Sequence, residues 1–137
     1  LAWMERLSTR LGELVVRERA TVVVGDFNVI SDDRDVWSPA AMAGDALMQP
    51  ESRAAYARIL NEGWTDALAT LNPRGGVWTY WDYQAGAWQR DRGFRIDHLL
   101  LSPEAADRLT AAGVDKDHRG REKASDHAPV WVEIASD

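Results

Sequence analysis

Apolar residues recur at three- and four-residue steps through Trp3, Leu7, Leu11, Leu14 and Val15, which predicts an amphipathic helix over residues 2–19. Glu13 and Arg17 stand four apart on its polar side, in the favourable order for a helical ion pair. The period then changes. Thr21-Val22-Val23-Val24 is a β-branched run ended by Gly25, the mark of a buried strand. Residues 31–39 form a polar stretch, and a second helix is expected over residues 51–62, opened by Pro50 and stopped at Gly63. Residues 77–81 read as an aromatic-rich strand, residues 86–93 as a surface loop and residues 94–101 as a central strand, apolar on both faces near its end. Ser102 and Pro103 start a short helix, residues 111–118 read as a strand, 119–123 as a basic loop and 128–134 as a closing strand. Strands come in runs rather than alternating with helices, so the expected class is α+β, with helices covering sheets.

Composition narrows the setting. At 137 residues the chain has the length of one domain, and no apolar run is long enough for a membrane span. With no Cys there are no disulfides or thiolate metal sites, which fits a reducing cytoplasm. The first residues carry charges at amphipathic spacing, so a secretory leader is not expected. The chain starts at Leu1 directly in a helical pattern, as the tail of a longer protein would. A net charge of −6 argues against a general polyanion binder, yet acids gathered around a cation lower that total without repelling a phosphate.

Several polar groups stand where an apolar strand meets a loop: Asp26 with Asn28, Asp97, and Asp126 with His127. If the chain stays extended past Gly25, Asp26 and Asn28 point the same way. A carboxylate beside a carboxamide there can polarise a water and grip a phosphate oxygen, or simply make a polar turn. An acid within an apolar strand needs a partner, and for Asp97 the best one is His127, with Arg95 or Arg121 as structural alternatives. Asp126 would then be free to bind a hard cation such as Mg²⁺. Asp32, Asp33 and Asp35 lack the Gly and distal Glu of a calcium loop, so residues 31–39 are read as a solvated loop. His98 and His118 are read as structural residues.

Five ordered segments carry a resemblance. They are Gly25-Asp26-Phe27-Asn28-Val29, Asp35-Val36-Trp37, Thr79-Tyr80-Trp81-Asp82-Tyr83, Arg92-Gly93-Phe94-Arg95-Ile96-Asp97 and Ser125-Asp126-His127-Ala128-Pro129-Val130. In these the chain resembles the exonuclease III branch, with its AP endonucleases, of the endonuclease/exonuclease/phosphatase superfamily. The resemblance implies that residues 1–137 are the C-terminal half of a four-layer α/β-sandwich, two packed β-sheets flanked by helices. The other half of such a domain would supply an Asn, a metal-binding Glu and an active-site Tyr, so the isolated chain is expected to be inactive or impaired.

The resemblance further implies a role for each matched residue. Asp26 would activate or orient the attacking water, Asn28 and His127 would bind the scissile phosphate, and Asp97 would orient His127. Asp126 would help hold Mg²⁺, with Mn²⁺ as the alternative. Tyr80, Phe94 and Ile96 would form an apolar pocket for a base-less sugar, with Trp81 packed behind it. On an ordinary strand Asp97 would face away from Phe94 and Ile96, so a bulge or strand end is expected there. Asp91 stands where related sequences carry Asn, and an acid there would weaken a DNA contact. The implied activity is DNA repair: Mg²⁺-dependent hydrolysis at abasic sites and 3′→5′ exodeoxyribonuclease action. The partner is double-stranded DNA with abasic sites or 3′ ends, and the full-length protein is expected to be a cytoplasmic monomer. Two rivals stand beside this reading: a superfamily phosphatase or phosphodiesterase acting on a small ester, and an inactive fragment with only binding or packing roles.

Overall fold

In a computed structural model the described residues are 2–136. Helix α1 (Ala2–Val15) keeps the apolar stripe but stops short of residue 19, at turns where Glu18 adopts a left-handed conformation (φ 54°). Strand β1 (Val22–Asp26) follows, then α2 (Pro39–Met42), α3 (Pro50–Asn61), β2 (Thr65–Asp66) and α4 (Ala67–Leu71). The second half contains β3 (Asp97–Leu101), α5 (Pro103–Ala106), β4 (Leu109–Val114) and β5 (Val130–Ile134). Short 3₁₀ turns at Asp33–Asp35, Ala46–Met48 and Lys116–Gly120 fill the connections. Among the described residues no helix is long and apolar enough to cross a membrane.

Two antiparallel sheets result, one ordered β1-β3-β2 and the other pairing β4 with β5. All five residues of β3 are buried, which explains a strand apolar on both faces. Leu100 packs with Phe27, Tyr56, Ile59 and Trp64 beneath α1 and α3. Leu99 and Leu101 pack with Leu68 and Ala105 towards the second sheet, through Val114, Val130 and Val132. Strand β3 is therefore the shared wall between a helical layer and a second sheet, as the α+β expectation required.

Three expected elements differ. Residues 77–81 are not a strand: Tyr80 makes only isolated bridges, to Phe94 on one side and to His127 on the other. Aromatic residues favour any extended half-buried backbone, so composition alone cannot separate a ladder from single bridges. The strand expected from residue 94 begins at Asp97, because Phe94 is engaged instead by Tyr80 and Val36. The strand expected over 111–118 runs Leu109–Val114 and then coils into a 3₁₀ turn.

The acidic stretch after β1 is not a solvated loop throughout. Asp35 and Val36 are buried, and the guanidinium of Arg95 is the reason. Arg95 Nε and Nη2 donate to the two oxygens of Asp35, each at 3.0 Å, in a fork-to-fork pair. Nη1 donates to Asp66 at 2.9 Å and to His98 Nδ1 at 3.0 Å, while Nη2 also reaches Ser31 Oγ at 3.2 Å. Asp66 accepts in addition from the Tyr56 hydroxyl at 2.7 Å and caps α4 through Ala69 N. Arg95 thus pairs with Asp35 and Asp66, and not with Asp97. His98, structural as expected, donates from Nε2 to the Val29 carbonyl at 2.9 Å, so its Nδ1 is the acceptor and the ring is neutral.

The charges in this cluster are set by burial against pairing. Burial pulls His98 down to about 4, with Arg95 adding to the effect. Burial opposes ionisation of Asp66, but Arg95, His98 and Tyr56 outweigh it and hold the carboxyl below its ordinary value. Burial likewise opposes the charge on Arg95, and the two carboxylates more than restore it.

Two outcomes follow from this cluster. Arg95→Ala leaves two carboxylates buried without a cation and should cost about 3–5 kcal/mol in urea unfolding. Arg95→Lys should recover little of it, since an ammonium cannot fork; a lysine variant as stable as the parent would refute the assignment. The second concerns pH. His98 titrates near 4 when folded and at its ordinary 6.5 when unfolded, so the unfolded chain binds the extra proton between those values. Its stabilising effect is complete above the unfolded value and fades as pH falls towards the folded one. Unfolding free energy should drop by about 2 kcal/mol from pH 7 to pH 5, and His98→Gln should flatten that slope.

Candidate active site

The first sheet ends at its rim with two acids side by side. The register pairs Val24 with Leu99, Gly25 with His98 and Asp26 with Asp97, so the last two carboxylates stand directly opposite each other. Opposed carboxylates repel, which favours a donor or cation near both. His127 occupies that position: its Nδ1 lies 2.8 Å from Asp97 Oδ2, and its Nε2 lies 3.7 Å from Asp26 Oδ2. The Asp97 carboxylate can only accept, so Nδ1 carries the proton and Nε2 faces Asp26. Of the partners weighed for Asp97, His127 is the one found.

Ligand atoms of Asp26, Asp97 and His127 all lie within 4.8 Å of one another, a donor set of two carboxylates and an imidazole suited to a metal ion. Asp126 lies just outside that cluster, with Oδ1 4.0 Å from His127 Nε2 and a third of its side chain exposed. Burial first, then the negative charges of Asp82 and Asp126, push the Tyr80 hydroxyl above its ordinary value.

Asn28 reaches this rim by a turn and not by strand alternation. Strand β1 stops at Asp26, whose Oδ1 accepts from Asn28 N at 2.8 Å, and Asn28 takes a left-handed conformation (φ 49°). Asn tolerates that conformation better than most residues, and the Asp-to-backbone turn holds it. The extended geometry considered from sequence does not occur, yet Asn28 still lines the same cavity as His127.

That cavity, about 450 Å³, is walled by Tyr80, Phe94 and Ile96, with Trp37 and Arg92 also on its lining. Tyr80 stacks on Phe94 (centroids 4.6 Å apart) and meets the His127 ring edge to face at 5.1 Å. Phe94 and Ile96 alternate with Arg95 along one extended segment, so the pair faces the cavity while Arg95 faces the core. Gly93 is required at the head of this segment, since a Cβ there would fall 2.8 Å from the Tyr80 carbonyl oxygen. Trp81 is 1 % exposed and absent from the lining; it packs behind the wall with its indole nitrogen bonded to Asp91 at 2.9 Å.

Two further placements belong to the scaffold around the site. Asp91 also pairs with Lys116 at 3.1 Å and borders a separate cleft with Trp78 and Trp81, so it is a tie within the fold. Arg119, read as part of a basic loop, is buried and donates to the carbonyls of Trp81 and Asp82. Sequence reasoning also gave no role to Thr79, which is fully buried; its hydroxyl accepts from Ile96 N and Asp97 N at 3.1 and 3.2 Å. A buried Thr beside the aromatic segment was the only available signal.

Comparison with known proteins agrees with this geometry. Residues 3–127 match the model of the Endonuclease/Exonuclease/phosphatase family. The chain is 34% identical over 123 residues to exodeoxyribonuclease III of Haemophilus influenzae, covering 82% of this chain and 45% of that protein. Among solved structures, the 3′ phosphatase NExo from Neisseria bound to a product DNA hairpin superposes with a TM-score of 0.94 at 32% identity, covering 98% of this chain and 52% of that one. An AP endonuclease from Archaeoglobus fulgidus gives 0.92 at 33% identity, covering 98% and 53%. The chain spans about half the length of the relatives it matches. With the matched span taking in the rim acids, the cavity wall and the histidine, the chain belongs to the endonuclease/exonuclease/phosphatase family.

Proposed function

We propose that the chain supplies the phosphate-handling half of a DNA repair nuclease that hydrolyses phosphodiesters at abasic sites and removes residues from 3′ ends. The observation that carries this reading is the Asp97–His127–Asp26 constellation at 2.8 and 3.7 Å, set beside a cavity walled by Tyr80, Phe94 and Ile96. The 3′ phosphatase and AP endonuclease named among the relatives support DNA ends and abasic sites as substrates.

Each residue has a stated task. Asp26 orients water in line with the scissile phosphorus and takes its proton as the new P–O bond forms. Asn28 and the imidazolium form of His127, through Nε2–H, donate to the non-bridging oxygens. The charge on these oxygens grows as the bond to O3′ breaks, and the departing O3′ takes a proton from solvent water. Asp97 fixes the tautomer and orientation of His127. Tyr80, Phe94 and Ile96 receive the sugar, and a missing base leaves room for it there.

The partly exposed carboxylate of Asp126 offers the hard oxygen donor that Mg²⁺ or Mn²⁺ takes. Asp126 would hold it together with ligands outside this chain, and when bound it supplies charge neutralisation on the phosphate. The chain alone is accordingly impaired, and turnover requires a protein that also carries the complementary half of the domain.

In such a protein, Asp26→Asn and His127→Ala should each lower kcat on an abasic duplex by about 10²–10³-fold with folding intact. Near-parental turnover by either variant would remove the role assigned to that residue. The same protein should prefer the abasic duplex over a soluble phosphomonoester, and Tyr80→Ala should erode that preference. Equal turnover of both substrates would favour the small-ester reading.

A further inference from the structure

We propose that Thr79 is the positioning residue that sets the Asp97–His127 pair, through its side-chain hydroxyl on one partner and its main chain on the other. The proposal rests on the nuclease reading for its reaction, but its geometry stands without it.

Asp97 must leave the segment that carries Phe94 and Ile96 to the cavity and still reach His127. In an ordinary antiparallel strand successive N–H groups point to opposite sides. Here two successive ones, of Ile96 and Asp97, converge on a single acceptor, the Thr79 hydroxyl oxygen. That convergence is a local kink, and it lies where β3 begins and where Asp97 meets Asp26 across the ladder. Both N–H groups are buried, so without this oxygen they would lack a partner at a substantial cost.

The main chain of Thr79 reaches the other partner. Its carbonyl accepts from Ala128 N at 2.8 Å, and Trp81 N donates to the Asp126 carbonyl at 2.9 Å, which brackets His127 opposite Tyr80. Its own N–H donates to the Phe94 carbonyl at 3.0 Å. One residue therefore triangulates the cavity wall, the orienting carboxylate and the histidine. A shift of the kink moves Asp97 against a histidine that the Thr79 main chain still holds through Ala128.

The test compares Thr79→Val, which keeps the shape and removes the acceptor, with Thr79→Ser, which keeps the acceptor. The first readout is the His127 Nδ1 proton resonance of the chain itself, shifted far downfield while Asp97 holds it. It should be retained with Ser and be lost or broadened with Val. In the protein carrying the complementary half, Val should lower kcat about 10- to 100-fold with KM little changed, and Ser should restore most of it. In an Asp97→Asn background the Val substitution should have almost no further effect on kcat, because its action runs through Asp97.

A folded Val variant with the parental resonance and kcat overturns the proposal, as does additivity with Asp97→Asn. If the Val variant does not fold, Thr79→Cys, whose sulfur is a weak acceptor, takes its place in the same measurements. Loss of the resonance then supports the proposal, and a parental resonance with parental kcat overturns it. Absence of abasic-site turnover in the unaltered protein would sink the nuclease reading alone, since the resonance reports on Thr79 without substrate.

Discussion

A guanidinium in a protein interior tolerates almost no neighbours except carboxylates and acceptors, and Arg95 imposes that demand on this fold. It is met by drawing Asp35 in from the loop after β1, Asp66 from the junction of β2 and α4, and His98 from β3. Three segments distant in sequence are thereby clamped to one point beneath the sheet. Because side chains alternate along residues 94–96, seating Arg95 in the core turns Phe94 and Ile96 outwards to the cavity. The cavity wall is the reverse side of the buried ion cluster. Breaking the cluster would release the 35–37 stretch, which pairs with residues 93–95 by backbone bonds and carries Trp37 onto the lining.

The rim of the candidate site is assembled from irregular backbone resting on a regular ladder. The ladder fixes Asp26 against Asp97, and everything else arrives by turns or single bridges: Asn28 through its left-handed turn, Tyr80 between Phe94 and His127. Loops can place such groups only when another part of the fold holds them, and here the buried hydroxyl of Thr79 and the forked Arg95 do so.

The sequence revealed the clustered polar residues better than it revealed the scaffold beneath them. Asp26, Asn28, Asp97 and His127 stood out because they lie in ordered motifs at the ends of apolar runs. Their convergence at one rim is what the structure adds. Helices α1 and α3 and strands β1 and β5 were legible from periodicity and β-branched runs. Asp35 and Arg119 were misread because a charge within a polar stretch looks solvated until its buried partner, far along the chain, is known. Asp91, where the resemblance suggested a weakened DNA contact, has an indole and a lysine as its neighbours in space. The aromatic segment around Tyr80 has strand composition without strand pairing, and no local pattern distinguishes the two.

The Tyr80 ring touches Phe94 on one side and His127 on the other, so under the proposed function one side chain would serve both the sugar pocket and the imidazole. A substitution that enlarged the sugar pocket at this position would also loosen the imidazole. Drift in substrate choice is therefore penalised by drift in rate, unless a second change restores the contact. Descendants of this scaffold would find it easier to alter selectivity at Trp37 or Arg92, which line the same cavity and stack on each other, because such a change leaves the Tyr80–His127 contact in place.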